Sequence, residues 1–74
     1  MSLNKRLQKA QDLATELAAL LTEIRDERQE IEGERSERWQ ESEKGQEYME
    51  ATSEIDECVS LVEDAAGRIE EVLN

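Results

Sequence analysis

Tyr48 to Leu73 reads YMEATSEIDECVSLVEDAAGRIEEVL. Within it Tyr48, Thr52, Ile55, Val59, Val62, Ala66, Ile69 and Leu73 alternate spacings of four and three, which puts them on one stripe of an α-helix. A stripe that narrow is completed by a second helix. The N-terminal half supplies one: in Leu3 to Ile31, LNKRLQKAQDLATELAALLTEIRDERQEI, the same alternation runs through Leu3, Leu7, Ala10, Ala14, Leu17, Leu21 and Ile24 to Ile31. The two stripes are out of phase with each other. The chain therefore reads as two amphipathic helices, an all-α fold.

Seventy-four residues form one small domain, and chains of this size seldom bury enough apolar surface to be stable without help. One cysteine, Cys58, and no histidine leave neither an internal disulfide nor the usual zinc ligands, so oligomerisation is the expected support. With no Phe, one Trp and one Tyr, the core has to come from Leu, Ile, Val and Ala, which suits a coiled coil or bundle better than a sheet. The absence of proline removes the commonest interruption of a long helix. The densest apolar run, Leu17 to Leu21, is far short of the roughly 18 residues of a membrane span. The N-terminal Met-Ser-Leu-Asn-Lys-Arg leads into a polar amphipathic pattern and not into the apolar stretch of a signal peptide. A soluble cytoplasmic protein is expected, and a lone thiol suits a reducing compartment.

Helix 1 is expected from about residue 3 to 39, capped by Ser2 or Asn4, the connector at about 40–46, and helix 2 at about 47–73. Ser42-Glu-Lys-Gly45 supplies turn formers where the seam lapses. A single continuous helix is the alternative, at the expense of absorbing the three-residue phase slip as a change of winding. Folding antiparallel about residue 43 places residue i opposite roughly residue 86 − i. Ile31 then meets Ile55, Ile24 meets Val62, and Leu17 meets Ile69. Arg28 faces Cys58, and Arg35 faces Ala51, with their guanidinium groups reaching Glu54 or Glu57. Helix 1 has its weak half after Ile24, where the seam becomes Arg28, Arg35 and Arg38 and where Gly33 costs roughly 1 kcal/mol relative to alanine. Gly67 is read as tolerated beside a close-packed Ala66. In this register Leu3, Leu7 and Ala10 have no partner within the chain. Together with Leu13 and Leu20, and with Cys58, Ala65 and Val72 of helix 2, they form a second apolar edge that two hairpins can bury as a four-helix bundle dimer.

The net charge of −11 is unevenly spread. Residues 1–22 carry three bases and two acids, residues 23–47 ten acids and five bases, and residues 48–74 eight acids and one base. Such a chain repels nucleic acid and anionic membranes, so a protein with a basic surface is the expected partner. The carboxylates fit no catalytic or metal pattern. Pairs such as Glu30 with Glu34, Glu37 with Glu41, and Glu50 with Glu54 share a helix face, but a di-metal bundle also needs Glu-x-x-His, and the surroundings of Asp26 and Asp56 lack the spacing of a calcium loop. They read as solvated faces that avoid the seam, some paired locally as in Glu34 with Arg38 and Asp64 with Arg68. Cys58 has no histidine to act as its base and reads as a small buried apolar residue. No cofactor, metal or catalytic residue is expected. Trp39 and Tyr48 bracket the connector, either stapling the hairpin end by packing on each other or offering an aromatic anchor to a partner.

Residues 35–48, RSERWQESEKGQEY, resemble a stretch found in small acidic helical proteins of bacteriophages and prophages, a group without an assigned activity. The resemblance covers fewer than a fifth of the residues and carries no functional residue with it. It implies a phage accessory protein in the host cytoplasm, a class that includes inhibitors of host enzymes and of defence systems. Three functions remain open on this reading. The first is a non-enzymatic protein–protein interaction module that dimerises and binds another protein through Trp39, Tyr48, Glu50, Glu54, Glu57 and Glu63. The second is an inhibitor whose carboxylates mimic nucleic acid toward a host DNA- or RNA-binding enzyme. The third is a structural or assembly element of a phage particle.

Overall fold

Ser2 starts the first helix by accepting a hydrogen bond from the backbone N–H of Lys5 on its side-chain oxygen, at 3.1 Å. A computed structural model describes residues 2–74, and its elements are α1 (Leu3–Glu34), α2 (Glu37–Glu41) and α3 (Glu43–Leu73), with no strand among the described residues. A single helix of this chain would extend about 110 Å at 1.5 Å per residue. The molecule instead measures 55 × 15 × 14 Å, because α3 folds back along α1. No helix is long and apolar enough to cross a membrane.

The corner differs from the expected connector. Helix α1 ends at Glu34, and most of residues 40–46 are helical, in α2 and in the first turn of α3. The breaks fall at Arg35, Ser36 and Ser42, whose ψ angles of 156°, 154° and 161° are extended. Both serines are N-caps: Ser36 Oγ accepts from the N–H of Trp39 at 3.2 Å, and Ser42 Oγ accepts from that of Gly45 at 3.1 Å. The end of α1 is closed by Gln40, whose Nε2 donates to the carbonyls of Glu32 (2.9 Å) and Arg35 (3.3 Å). Orphaned backbone groups at three helix ends thus find partners within one short corner. Because the helix has ended before residue 35, Glu34 and Arg38 do not form the pair expected of an unbroken helix, whereas Arg68 and Asp64 do, at 3.2 Å.

Gly45 is where α3 crosses α2. A Cβ there would lie 2.0 Å from the Trp39 carbonyl oxygen and 2.9 Å from its carbon, an approach only glycine permits. Gly33 and Gly67 face open space, while Ala66, beside Gly67, lies half-buried in the seam as expected.

The register also differs. Arg28 Nε donates to Thr52 Oγ1 at 2.9 Å, and Gln11 Nε2 donates to the Ala66 carbonyl at 3.3 Å, so α1 position i lies opposite roughly 80 − i rather than 86 − i. On α3 the buried and half-buried positions are the expected Tyr48, Thr52, Ile55, Val59, Val62, Ala66, Ile69 and Leu73, joined near the corner by Gly45 and Met49. On α1 they are Leu7, Gln11, Ala14, Ala18, Leu21, Arg25, Arg28 and Glu32, with Thr22 at the border of the stripe. Leu17, Ile24 and Ile31, placed in the seam by their hydrophobicity, lie outside it and are exposed. Leu7 falls opposite Leu73 and so has an intrachain partner. The small Ala14 and Ala18 let the helices approach closely, while the polar seam residues find partners on α3, which is why this stripe faces inward.

Replacing Gly45 by alanine is expected to lower stability by about 1–3 kcal/mol through overpacking. Gly33→Ala and Gly67→Ala, in open helical positions, are each expected to raise it by about 1 kcal/mol. Urea denaturation of the three variants at one protein concentration checks both signs.

Candidate interaction surface

Three polar side chains share the seam next to the corner. Thr52 is 4% exposed, and its hydroxyl accepts from Arg28 Nε and donates to Glu32 Oε2 at 2.5 Å. Arg28 Nη2 donates to the Tyr48 carbonyl at 3.1 Å, and its guanidinium carbon stands 3.9 Å from the centre of the Tyr48 ring. Tyr48 meets Trp39 edge to face, with centroids 5.6 Å apart at 66°, and Arg35 covers the other ring at 4.5 Å. Each aromatic is therefore flanked by a cation and by its neighbour, an arrangement in which ring quadrupoles and guanidinium charges attract. Arg28 does not reach Cys58, nor does Arg35 lie over Ala51, because the register has moved them to Thr52 and to the corner. Glu32 also departs from the expectation that acids avoid the seam. Trp39 and Tyr48 are half-buried in this corner and are committed to it.

One helical turn further along, Arg25 bridges two carboxylates, donating to Asp56 Oδ1 at 2.5 Å and to Asp26 Oδ1 at 3.0 and 3.2 Å. The hydrogen bonds to Asp56 and then to Asp26 hold its guanidinium above its usual pKa range. These aspartates lie on one side of the hairpin. The opposite side is apolar.

That apolar side is built from positions that again alternate three and four. On α1 they include Leu3, Ala10, Leu13, Leu17, Leu20, Ile24 and Ile31, and on α3 Ala51, Cys58, Leu61, Ala65 and Val72, all exposed. In an antiparallel pair the same flank of each helix borders the same side of the seam. Leu3, Leu7 and Ala10 accordingly meet Val72 around one open groove of about 540 Å³, with Asn4 and Arg6 at its rim. Of the residues expected at a dimer edge, Leu3, Leu13, Leu20, Cys58, Ala65 and Val72 lie on this face, and Leu7 lies at its border with the seam. Cys58 is exposed rather than buried within the chain. Leu17, Ile24, Ile31 and Leu61 extend the face and escape a reading that assigns α1 only one seam. The signal for them was the width of the apolar band around Leu13 and Leu20.

Glu50, Glu57 and Glu63 point away from this face, whereas Glu54 lies within its stripe, between Ala51 and Cys58. Among the described residues no group of three or more His, Cys, Asp or Glu side chains is placed to hold a metal ion. Comparison with protein-family models, curated proteins and solved structures finds no match to this chain.

The buried Thr52 hydroxyl links the half-buried Arg28 and Glu32, so Thr52→Val is expected to cost about 1–3 kcal/mol by removing one partner from each of these charged groups. Thr22 donates at 2.8 Å to the Ala18 carbonyl of its own helix, and Thr22→Val strands no charged group. Its expected cost is at most about 0.5 kcal/mol. Thermal unfolding of the two variants side by side provides the comparison.

Proposed function

We propose that this protein is a non-enzymatic interaction module whose working form is a homodimer, two hairpins joined through their apolar faces as a four-helix bundle that presents acidic outer surfaces to a basic protein. The observation that carries the proposal is the contrast between the inside and the outside of one hairpin. Ala18 and Val59 are the only buried apolar residues among those described, whereas eight large apolar side chains are exposed, Leu3, Leu61 and Val72 by 76, 69 and 72%. Fully burying such a side chain is worth about 1.5–3 kcal/mol, so covering these half-exposed ones contributes on the order of 1 kcal/mol each. Monomeric proteins rarely leave a contiguous apolar face of this kind in water.

Two amphipathic hairpins stacked face to face are a recurrent solution to that problem. Once the apolar faces are joined, the surface left outside is acidic: Glu16, Glu23 and Glu30 on α1 and Glu50, Glu57 and Glu71 on α3 are all exposed. A field of one sign steers oppositely charged partners and repels phosphate backbones. An accessory protein that acts by occupying a host protein is consistent with this arrangement and with the resemblance of residues 35–48 to phage-encoded helical proteins.

Leu13→Glu combined with Leu20→Glu places two charges at the centre of the apolar face. Sedimentation equilibrium is expected to show a dimer for the wild type and a monomer with reduced helicity for the double variant. A wild type that sediments as 8.5 kDa at high micromolar concentration contradicts the proposal. For the acidic surface, Glu50, Glu57 and Glu63 to Gln is expected to weaken capture of a basic partner while leaving the dimer intact. The same affinity at low and high salt contradicts an electrostatic role for those carboxylates.

A further inference from the structure

The apolar face is not electrically uniform along its length, and this sets how a second copy can lie on it. Followed at its own three-and-four spacing, the α1 stripe contains Arg6 near the open end of the hairpin and Glu27 and Glu34 toward the corner. The α3 stripe contains Arg68 near the open end and Glu47 and Glu54 toward the corner, with Lys44 as its last position in the first turn of α3. Both arginines therefore sit at one end of the face and all four acids toward the other, where Lys44 offsets one of them, with leucine, isoleucine, valine, alanine and Cys58 between them. Neither arginine and none of the four acids is held in an ion pair across the hairpin; Arg68 makes a pair only with Asp64 on its own helix, at 3.2 Å, and remains exposed.

From this polarity we infer that the partner on the face is a second copy of the chain lying antiparallel to the first, related by a two-fold axis that crosses the hairpins near Leu17, Leu20 and Leu61. The inference rests on the dimer proposed above and specifies its geometry. A copy laid parallel, corner against corner, brings the glutamates of one face to those of the other and the two arginine ends together. A copy laid antiparallel brings Arg68 to the partner's Glu54 and sets Arg6 near the partner's Ile31, between the glutamates that flank it on the stripe, and each arrangement occurs twice by symmetry. The apolar residues also agree. The α1 stripe, from Leu3 to Ile31, is centred on Leu17, and the α3 stripe, from Ala51 to Val72, is centred on Leu61. In the observed register these centres lie within a helical turn of the same level along the hairpin. Reversing the second copy about that level keeps leucine against leucine at the middle, sets Leu13 against the partner's Ile24, and sets Val72 against the partner's Ala51. Each α1 then runs beside the partner's α1 and each α3 beside the partner's α3, all neighbours antiparallel, as in the common bundle arrangements.

Charge reversal with a net-charge control tests the orientation. Arg68→Glu is expected to raise the dimer dissociation constant on the order of tenfold, since two exposed pairs are lost and replaced by like charges. Adding Glu54→Arg is expected to restore wild-type affinity to within about threefold, because the pair is re-formed with its signs exchanged. Residues 54 and 68 are two heptads apart on one helix, about 21 Å at 1.5 Å per residue, so the rescue cannot arise within a chain. Arg68→Glu with Glu71→Arg restores the same net charge off the face and is expected to give no rescue. Equal rescue by both combinations overturns the inference. Independently, Cys58→Ser with Leu61→Cys is expected to form an interchain disulfide on mild oxidation, since position 61 adjoins its own copy across the axis only in the antiparallel arrangement. A variant that sediments as a dimer but does not cross-link overturns the orientation alone, whereas a wild type without any dimer overturns the underlying proposal.

Discussion

The contact of Gly45 with the Trp39 carbonyl, together with the Arg28–Thr52 hydrogen bond, fixes the sliding position of α3 along α1. Everything else in the molecule follows from that position. Both helices repeat every seven residues, so several registers bring some apolar stripe into contact, and seam hydrophobicity alone separates them poorly. The corner admits one. Ser36 and Ser42 set where the chain leaves and re-enters helix, and Gly45 allows the third helix to start against the second. Two turns further along, Thr52 can satisfy Arg28 and Glu32 together only if it lies between them. A hairpin held this way has Arg25, Arg28 and Glu32 toward the corner and the small Ala14 and Ala18 along the middle of its seam.

The consequence is a division of labour around α1. Its inward stripe mixes leucine and alanine with Gln11, Arg25, Arg28 and Glu32, whereas its outer stripe is richer in large apolar residues. A helix whose more hydrophobic face is turned away from its intrachain partner gains its remaining burial from another molecule. The same reasoning applies to α3, where Leu61 and Val72 are the outward apolar side chains and Cys58 is exposed on the same stripe. The flank opposite this face is polar, with Asp12, Asp26, Asp56, Glu63 and Glu70 among serine, threonine and glutamine side chains.

Much of α3 was legible from its sequence because its inward stripe is also its most hydrophobic one: the residues from Thr52 to Leu73 at the four-and-three spacing are those that are buried or half-buried. Helix α1 was only half legible. Positions 7, 14, 21 and 28 belong to the seam on either assignment, but the alternation can continue through 10, 17, 24 and 31 or through 11, 18, 25 and 32, and hydropathy favours the set that the structure turns outward. What decides is the partner each polar residue finds on α3, and that information lies in the other half of the chain. The corner was misplaced for a related reason. Two serines three residues ahead of their capped amides are visible in the sequence, but each is also compatible with an exposed position inside a longer helix. The second apolar edge was anticipated in outline from Leu13, Leu20, Ala65 and Val72, and the correct register enlarges it.

The central claim is that the apolar face is covered in solution by a second copy, and the natural thiol reports on it directly. Cys58 is exposed in one hairpin, and the proposed dimer would enclose it within the joined face. The measurement is the rate at which a neutral alkylating reagent modifies Cys58 in the folded protein as the protein is diluted, with the urea-unfolded chain as the reference. The account predicts reaction at least tenfold slower than the reference at high micromolar concentration, rising toward it on dilution as the dimer dissociates. A folded protein whose thiol reacts as fast as the unfolded reference at every concentration contradicts it.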